Sequence, residues 1–263
     1  MVSVLRPGQR ILNIPGIGVS TSRRAVAGGG NGLLNNLIAY WPLNEAAGAN
    51  NALDAHTNGL TLTQAASPGS AAGIVYAGAR TFNGSTQYFS RASESLLQAG
   101  DIDFTFAAWV YPSTTQNRAI VTKDNTTDSR EFDVLLETDR TIRFLVFSGA
   151  SSAGRQDFYS TTKVTVPAWA LVTCWHDSVA NTLNIQINND TPESQSRATG
   201  VYAGAAAFQI ATLNSSGSWV WNGRIGPVAF WKSAAGGGGV LSAAQRTALW
   251  NAGAGLPYAS FTV

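Results

Sequence analysis

Residues 102–111 read Ile-Asp-Phe-Thr-Phe-Ala-Ala-Trp-Val-Tyr and run into Pro112. The first half alternates apolar and polar side chains, the two-residue period of a half-buried β-strand. Similar runs lie on both sides. Leu37–Leu43 predicts a first strand. Ala79–Phe82 and Gln87–Ser90 flank Asn83-Gly84, which reads as a hairpin turn. Glu131–Leu136 and Thr141–Phe147 predict a second hairpin. Ala168–His176 and Thr182–Ile187 predict a third, joined through residues 177–181, and Arg224–Trp231 closes the set. Many short strands at this spacing predict an all-β, two-sheet antiparallel sandwich rather than alternating βαβ units. One helix stands apart, Ser242–Trp250, with Ser242 as N-cap and residues 251–253 as its stop.

Composition narrows the function. Of 263 residues, 44% are hydrophobic and 10% aromatic, enough for one large core. Only 12% are charged, so the surface is built largely from small and uncharged polar residues. Lys and Arg form no cluster beyond Arg23-Arg24, which argues against a nucleic-acid partner. No apolar run is long enough to insert in a membrane. Cys174, the only cysteine, sits among Leu171, Val172 and Trp175 and reads as a small buried hydrophobe.

Residues 1–36 read as an extended N-terminal arm, punctuated by Pro7, Gly8, Pro15, Gly16 and Gly18 and ending at a Gly28-Gly29-Gly30 joint. Its apolar residues Leu5, Ile11, Leu12, Ile14 and Ile17 are candidates for docking on a partner. The first ten residues lack the basic-then-apolar order of a signal peptide. Residues 37–263 form the expected domain.

Several segments resemble one family in order along the chain. Tyr40–Gly48 resembles the opening signature of laminin-G-like, concanavalin A-like jelly-roll domains, and Phe82-Asn83-Gly84 resembles their Phe-Asp/Asn-Gly turn. Phe104–Pro112 resembles their central Phe-Thr-x-x-x-Trp-Val strand. Trp169–Trp175 with Leu183–Asn189 resembles a later hairpin. Gly223–Trp231 with Leu241–Asn251 resembles the closing strand and helix. The resemblance spans residues 37–255 and implies a jelly roll, a fold that hosts lectins, adhesion modules, glycosidases and structural proteins. It also implies calcium in some members, held at rim loops. On that basis Asp54, Asp124 and Asp128 are candidate calcium ligands, although Asp and Asn more often serve as turn residues. Where the family often has Ile-Asp, this chain has Ile225-Gly226.

Glycosidases of this fold carry acids along one strand, and Glu131, Asp133 and Glu137 share strand parity. Glu131 and Glu137 would nevertheless stand roughly 20 Å apart along a strand, whereas a retaining pair needs about 5–5.5 Å. A polar face opposite Phe132 and Val134 is the better reading. His56 and His176 are the only histidines and no Gly-x-Ser-x-Gly elbow accompanies them; His176 reads as a turn residue at a strand end. Trp41, Trp109, Trp169 and Trp231 fall at core positions, leaving Trp219, with Tyr202 and Trp221, as candidate sugar platforms.

These features together predict a non-enzymatic structural or adhesive subunit of a large particle, concretely a bacteriophage virion surface protein of capsid, collar or tail. It would be made in the cytoplasm without a signal peptide, anchored to other subunits by its arm, and oligomeric in the assembly. No cofactor is required. The alternative is a lectin-like module for cell-surface glycans, and a glycosidase comes third.

Overall fold

The computed structural model describes residues 30–152 and 154–263. In chain order the strands are β1 (Leu37–Trp41), β2 (Thr63–Ala65), β3 (Gly69–Ala72), β4 (Gly78–Asn83), β5 (Tyr88–Arg91), β6 (Asp103–Pro112), β7 (Arg118–Asp124) and β8 (Arg130–Leu136). They continue with β9 (Thr141–Val146), β10 (Gln156–Lys163), β11 (Ala170–Asp177), β12 (Thr182–Ile187), β13 (Glu193–Ser196), β14 (Phe208–Ile210) and β15 (Asn222–Ser233), followed by helix α1 (Ala243–Trp250). Two antiparallel sheets result. One runs β13-β12-β11-β6-β15-β4-β3, with β1 also paired to β15; the other runs β10-β9-β8-β7-β14-β5-β2.

The alternation expected of half-buried strands sorts the side chains into a layer between the sheets and a layer outside the eight-stranded sheet. Phe104, Phe106, Ala108 and Val110 of β6 and Val172 and Cys174 of β11 meet Phe132, Val134, Phe144 and Phe208 between the sheets. Ala107, Trp109, Leu171, Ala229 and Trp231 point out of the eight-stranded sheet, where Leu241, Leu249 and Phe261 cover them. Trp109 stacks on Trp250 of α1, with ring centroids 5.4 Å apart. β6 is therefore buried on both faces rather than half-buried, because the helix and C-terminal tail roof it. The helix starts as expected: Ser242 and Gln245 form a reciprocal capping box, and Asn251 ends it in the left-handed region at φ +46°.

The hairpins β8–β9 and β11–β12 form as read from the sequence. The one expected around Asn83-Gly84 does not: β4 and β5 lie in opposite sheets. Asn83 Oδ1 accepts from the backbone N–H groups of Ser85 and Thr86, each at 2.9 Å, so residues 83–87 form a broader corner than a two-residue turn. Phe82 and Phe89 then enter the core from the two sheets and meet edge to face at 5.9 Å. In β15 the register slips between Ile225 and Val228. Pro227, with no N–H for the ladder, sits in that bulge. A Cβ on Gly226 would face Trp109 and Trp169, so the carboxylate common in the family would here lie among indoles.

Residues 30–36 lie on this domain. Leu33 is fully buried in the outer cluster, its carbonyl accepts from Trp231 Nε1 at 2.8 Å, and Leu34 N donates to Thr262 O. The other arm positions singled out above, Leu5, Ile11, Leu12, Ile14 and Ile17, lie outside the described residues. Among the described residues no helix is long and apolar enough to cross a membrane.

Candidate functional site

On the outer face of the seven-stranded sheet, the odd-numbered residues of β8 and β9 point away from the core. The register pairs Asp133 with Leu145 and Leu135 with Arg143, and Phe144 with Phe158 on β10. Asp124 pairs with Arg130 across a bulge between β7 and β8. Polar and apolar groups of β8 and β9, with loop residues beside them, enclose a groove of about 300 Å³. Arg130, Asp133, Leu135, Arg143, Leu145, Arg155, Leu213 and Trp219 line it. That volume lies at the lower end of the range for small-ligand sites.

The charges are tightly organised. Arg130 grips both Asp124 oxygens, through Nε at 2.9 and 3.0 Å and Nη2 at 2.6 Å, while its guanidinium covers Phe147. Arg143 donates to Asp157 and, at 3.1 Å, to Glu137; Arg155 also donates to Asp157, at 2.8 Å. Asp133 lies against Asp124, with a hydrogen bond between the two carboxyl groups, and its buried Oδ1 accepts from no donor. Burial first, then the Asp124 carboxylate, holds the Asp133 carboxyl well above the usual range.

Trp219 forms one wall. Its φ is +54°, a conformation uncommon for a bulky residue and worth about 1–3 kcal/mol of strain. The surrounding loop holds it there: Ala119 N donates to Trp219 O at 2.8 Å, Leu213 N to Ser218 O at 2.8 Å, and Trp221 N to Ala211 O at 2.8 Å. The half-buried indole packs on Ala119, Leu135, Leu145 and Phe147.

The left-handed turn at Trp219 breaks the strand parity that paired it with Trp221. Trp221 faces the opposite way, fully buried in the central core, with Nε1 donating to Arg224 O at 3.1 Å. It offers no surface and is removed from the sugar-platform set. Tyr202 is half-buried and its N–H donates to Phe147 O at 2.7 Å, but its ring does not line the groove.

The three acids of β8 and the following turn have separate roles. Glu131 is fully buried, 3.0 Å from the fully buried Lys123, and also accepts from the N–H groups of Ala99 and Gly204. Lys123 donates in turn to Ser93 Oγ at 3.1 Å and to the Gly204 carbonyl. This ion pair ties residues 93–99 and Gly204 to the end of the sheet. Glu137 bonds Arg143, which leaves Asp133 as the acid of the groove. The odd-numbered face is thus polar but not solvated, since Glu131 and Asp133 are buried.

The candidate calcium ligands lie apart. Asp54 accepts backbone N–H groups of Tyr40, His56 and Leu60 at 2.9–3.0 Å. Asp124 is committed to Arg130, and the exposed Asp128 bonds Asn125 and Thr127. Among the described residues no group of three or more His, Cys, Asp or Glu is arranged to hold a metal ion. His176 is not the turn residue its sequence position suggested: it lies fully buried in β11, Nδ1 2.9 Å from Ile102 O and its ring against Phe104. Cys174 is buried as expected, and burial pushes its thiol up. The void beneath α1 is about 20 Å³ and largely apolar, room for little more than one water.

Comparison with known proteins finds the same fold elsewhere. The chain resembles domain 4 of AbnA, an extracellular arabinanase from Geobacillus stearothermophilus solved with arabinotriose. The TM-score is 0.58 at 18% identity, over 81% of this chain and 97% of that one. It also resembles the binding domain of Paraclostridial Mosquitocidal Protein 1, with TM-score 0.59 at 13% identity over 82% of this chain and 52% of that one. A structure of botulinum neurotoxin type C, described by its dependence on two ganglioside molecules for cell entry, matches with TM-score 0.57 at 10% identity, over 82% and 51%. The chain spans about half the length of these two toxin structures, and at such identities the likenesses carry the fold alone. No curated protein sequence matches. A laminin-G-type family model matches residues 83–237, more than half of the chain and the span that builds the groove. By that match the chain belongs to the concanavalin A-like lectin/glucanases superfamily.

Proposed function

We propose that this chain is a non-enzymatic binding module that holds a glycan in the groove on the outer face of the seven-stranded sheet. The observation that carries the reading is convergence at Trp219: an indole held in a strained turn stands beside arginines and a buried carboxyl oxygen that accepts from no donor. An apolar plate flanked by fixed donors and acceptors suits a sugar ring, which presents both apolar C–H faces and hydroxyls. A structural neighbour solved with arabinotriose adds support at the level of fold. The acids argue for binding over hydrolysis, because Glu131 and Glu137 are each committed to a cation and only Asp133 lines the groove. The test is a glycan array with the full chain, followed by titration of Trp219→Ala against the best ligand. Loss of the indole should weaken binding at least tenfold, the equivalent of about 1.4 kcal/mol. Binding that Trp219→Ala leaves unchanged removes the groove from the reading.

A second observation supports display from a particle. The chain enters the domain at residues 30–34, bonded along Thr262 on the outer side of the eight-stranded sheet, opposite the groove. Attachment through residues 1–29 would therefore leave the groove facing outward. In this reading the protein is a virion surface subunit, anchored by those residues to other subunits. Deleting them should release a folded domain from the particle; co-purification of the truncated chain would overturn the attachment role.

A further inference from the structure

We infer that Asp133 is the specificity-determining contact of the groove, its Oδ1 accepting a hydrogen bond from a hydroxyl of a neutral saccharide in preference to an acidic one. This rests on the glycan-binding reading above and goes further by naming the chemical class of ligand and the atom that selects it.

Two observations carry it. The first is the unsatisfied oxygen. Asp133 is 1% exposed and its carboxyl meets that of Asp124, yet Oδ1 accepts from no donor. A buried acceptor left without a donor is unfavourable, and a ligand donor that reaches it relieves that. The acids beside the groove are already held by donors: the buried Asp124 takes Arg130 and the backbone of Thr126, and the half-buried Asp157 takes Arg143 and Arg155. Asp133 alone keeps an acceptor for an incoming donor, and a sugar hydroxyl is such a donor.

The second is the charge balance. Arg130, Arg143 and Arg155 give the groove a basic character by residue count. Each already faces a carboxylate: Asp124 against Arg130, Asp157 against both Arg143 and Arg155, and Glu137 against Arg143. With Asp133, four carboxyl groups meet three guanidinium groups, so no surplus cation remains for a uronic or sialic acid. A ligand carboxylate would also approach the Asp124 carboxylate as a like charge. The arginines instead present oriented donors; Arg130 uses Nε and Nη2 on Asp124, which leaves Nη1 for a neutral ligand's oxygen.

The experiment titrates the full chain with arabinotriose, cellotriose and maltotriose as neutral probes, and with trigalacturonate and sialyllactose as acidic ones. The expected result is at least a tenfold preference for a neutral probe. Asp133→Leu should weaken that probe at least tenfold. Asp133→Asn, which keeps a carbonyl oxygen in place and can donate to Asp124, should stay within about threefold. Equal or tighter binding of an acidic probe overturns the inference, and so does Asp133→Leu binding like the unaltered chain while Trp219→Ala does not bind. If the unaltered chain binds none of these probes or any arrayed glycan, the glycan-binding reading itself fails. Should Asp133→Leu not fold, salt dependence of the unaltered chain decides. Neutral recognition stays constant from about 0.05 to about 0.5 M salt, whereas charge capture weakens as salt screens it.

Discussion

At the scale of single residues, Glu131 shows how one acid can be catalytic by motif and structural by surroundings. Its oxygens are held by a buried ammonium and two backbone N–H groups, and the side chain does not line the groove. Burial pushes the Glu131 carboxyl up and the Lys123 ammonium down, each opposed by the partner's charge. Removing one member strands the other in a dry site, which typically costs about 3–5 kcal/mol. Glu131→Gln should therefore lower the midpoint of thermal unfolding by roughly 10 °C for a domain of this size, with glycan binding intact below that midpoint. Calorimetry on the purified variant checks this. An unchanged midpoint combined with loss of a glycoside-cleaving activity would instead return Glu131 to catalysis. Trp219 is the opposite case, since its side chain leaves the core because its backbone is held at positive φ. Parity counted along the sequence assumes an unbroken strand, and so it paired Trp219 with Trp221.

Among elements, strands with apolar alternation were legible and their sheet membership was not. Residues 78–91 contain two strands and an Asn-Gly corner, the pattern of a hairpin, yet the corner carries the chain from one sheet to the other. What distinguishes the cases is the Asn83 side chain, whose bonds to Ser85 and Thr86 set a wider turn. Asn83→Ala removes those bonds and should cost about 1–2 kcal/mol, a midpoint lower by several degrees; Asn83→Asp, which keeps the acceptor, should recover most of it. Equal midpoints for the Ala and Asp variants would show that the side chain does not hold the corner. The edge and polar strands β2, β3, β10 and β13 escaped the sequence reading because their exposed faces dilute the apolar period. The groove was legible only in part for a related reason. Trp219 and Asp133 could be singled out one by one, but their convergence with Arg130, Arg143 and Arg155 depends on register across β7 to β10, which no local pattern specifies.

For the whole molecule, the boundary between arm and domain decides how attachment is tested. Composition put the joint at the glycines 28–30 and the first domain residue at Leu37. The packing draws residues 31–36 into the domain. Leu33 lies under Trp231 and Phe261, Asn31 bonds Ser260 and Thr262, and Asn36 bonds Gly237. A chain lacking residues 1–29 keeps all of these contacts, whereas one lacking residues 1–36 loses a fully buried leucine and uncovers the outer face of the eight-stranded sheet. Removing a buried Leu side chain costs about 2–5 kcal/mol. The longer truncation should therefore unfold roughly 5–15 °C below the shorter one. This contrast gives the particle experiment its meaning. Release of the first truncation from the particle, with its midpoint and glycan affinity unchanged, assigns attachment to residues 1–29. Release of the second alone would trace the loss to a damaged outer face and leave residues 1–29 without an anchoring role.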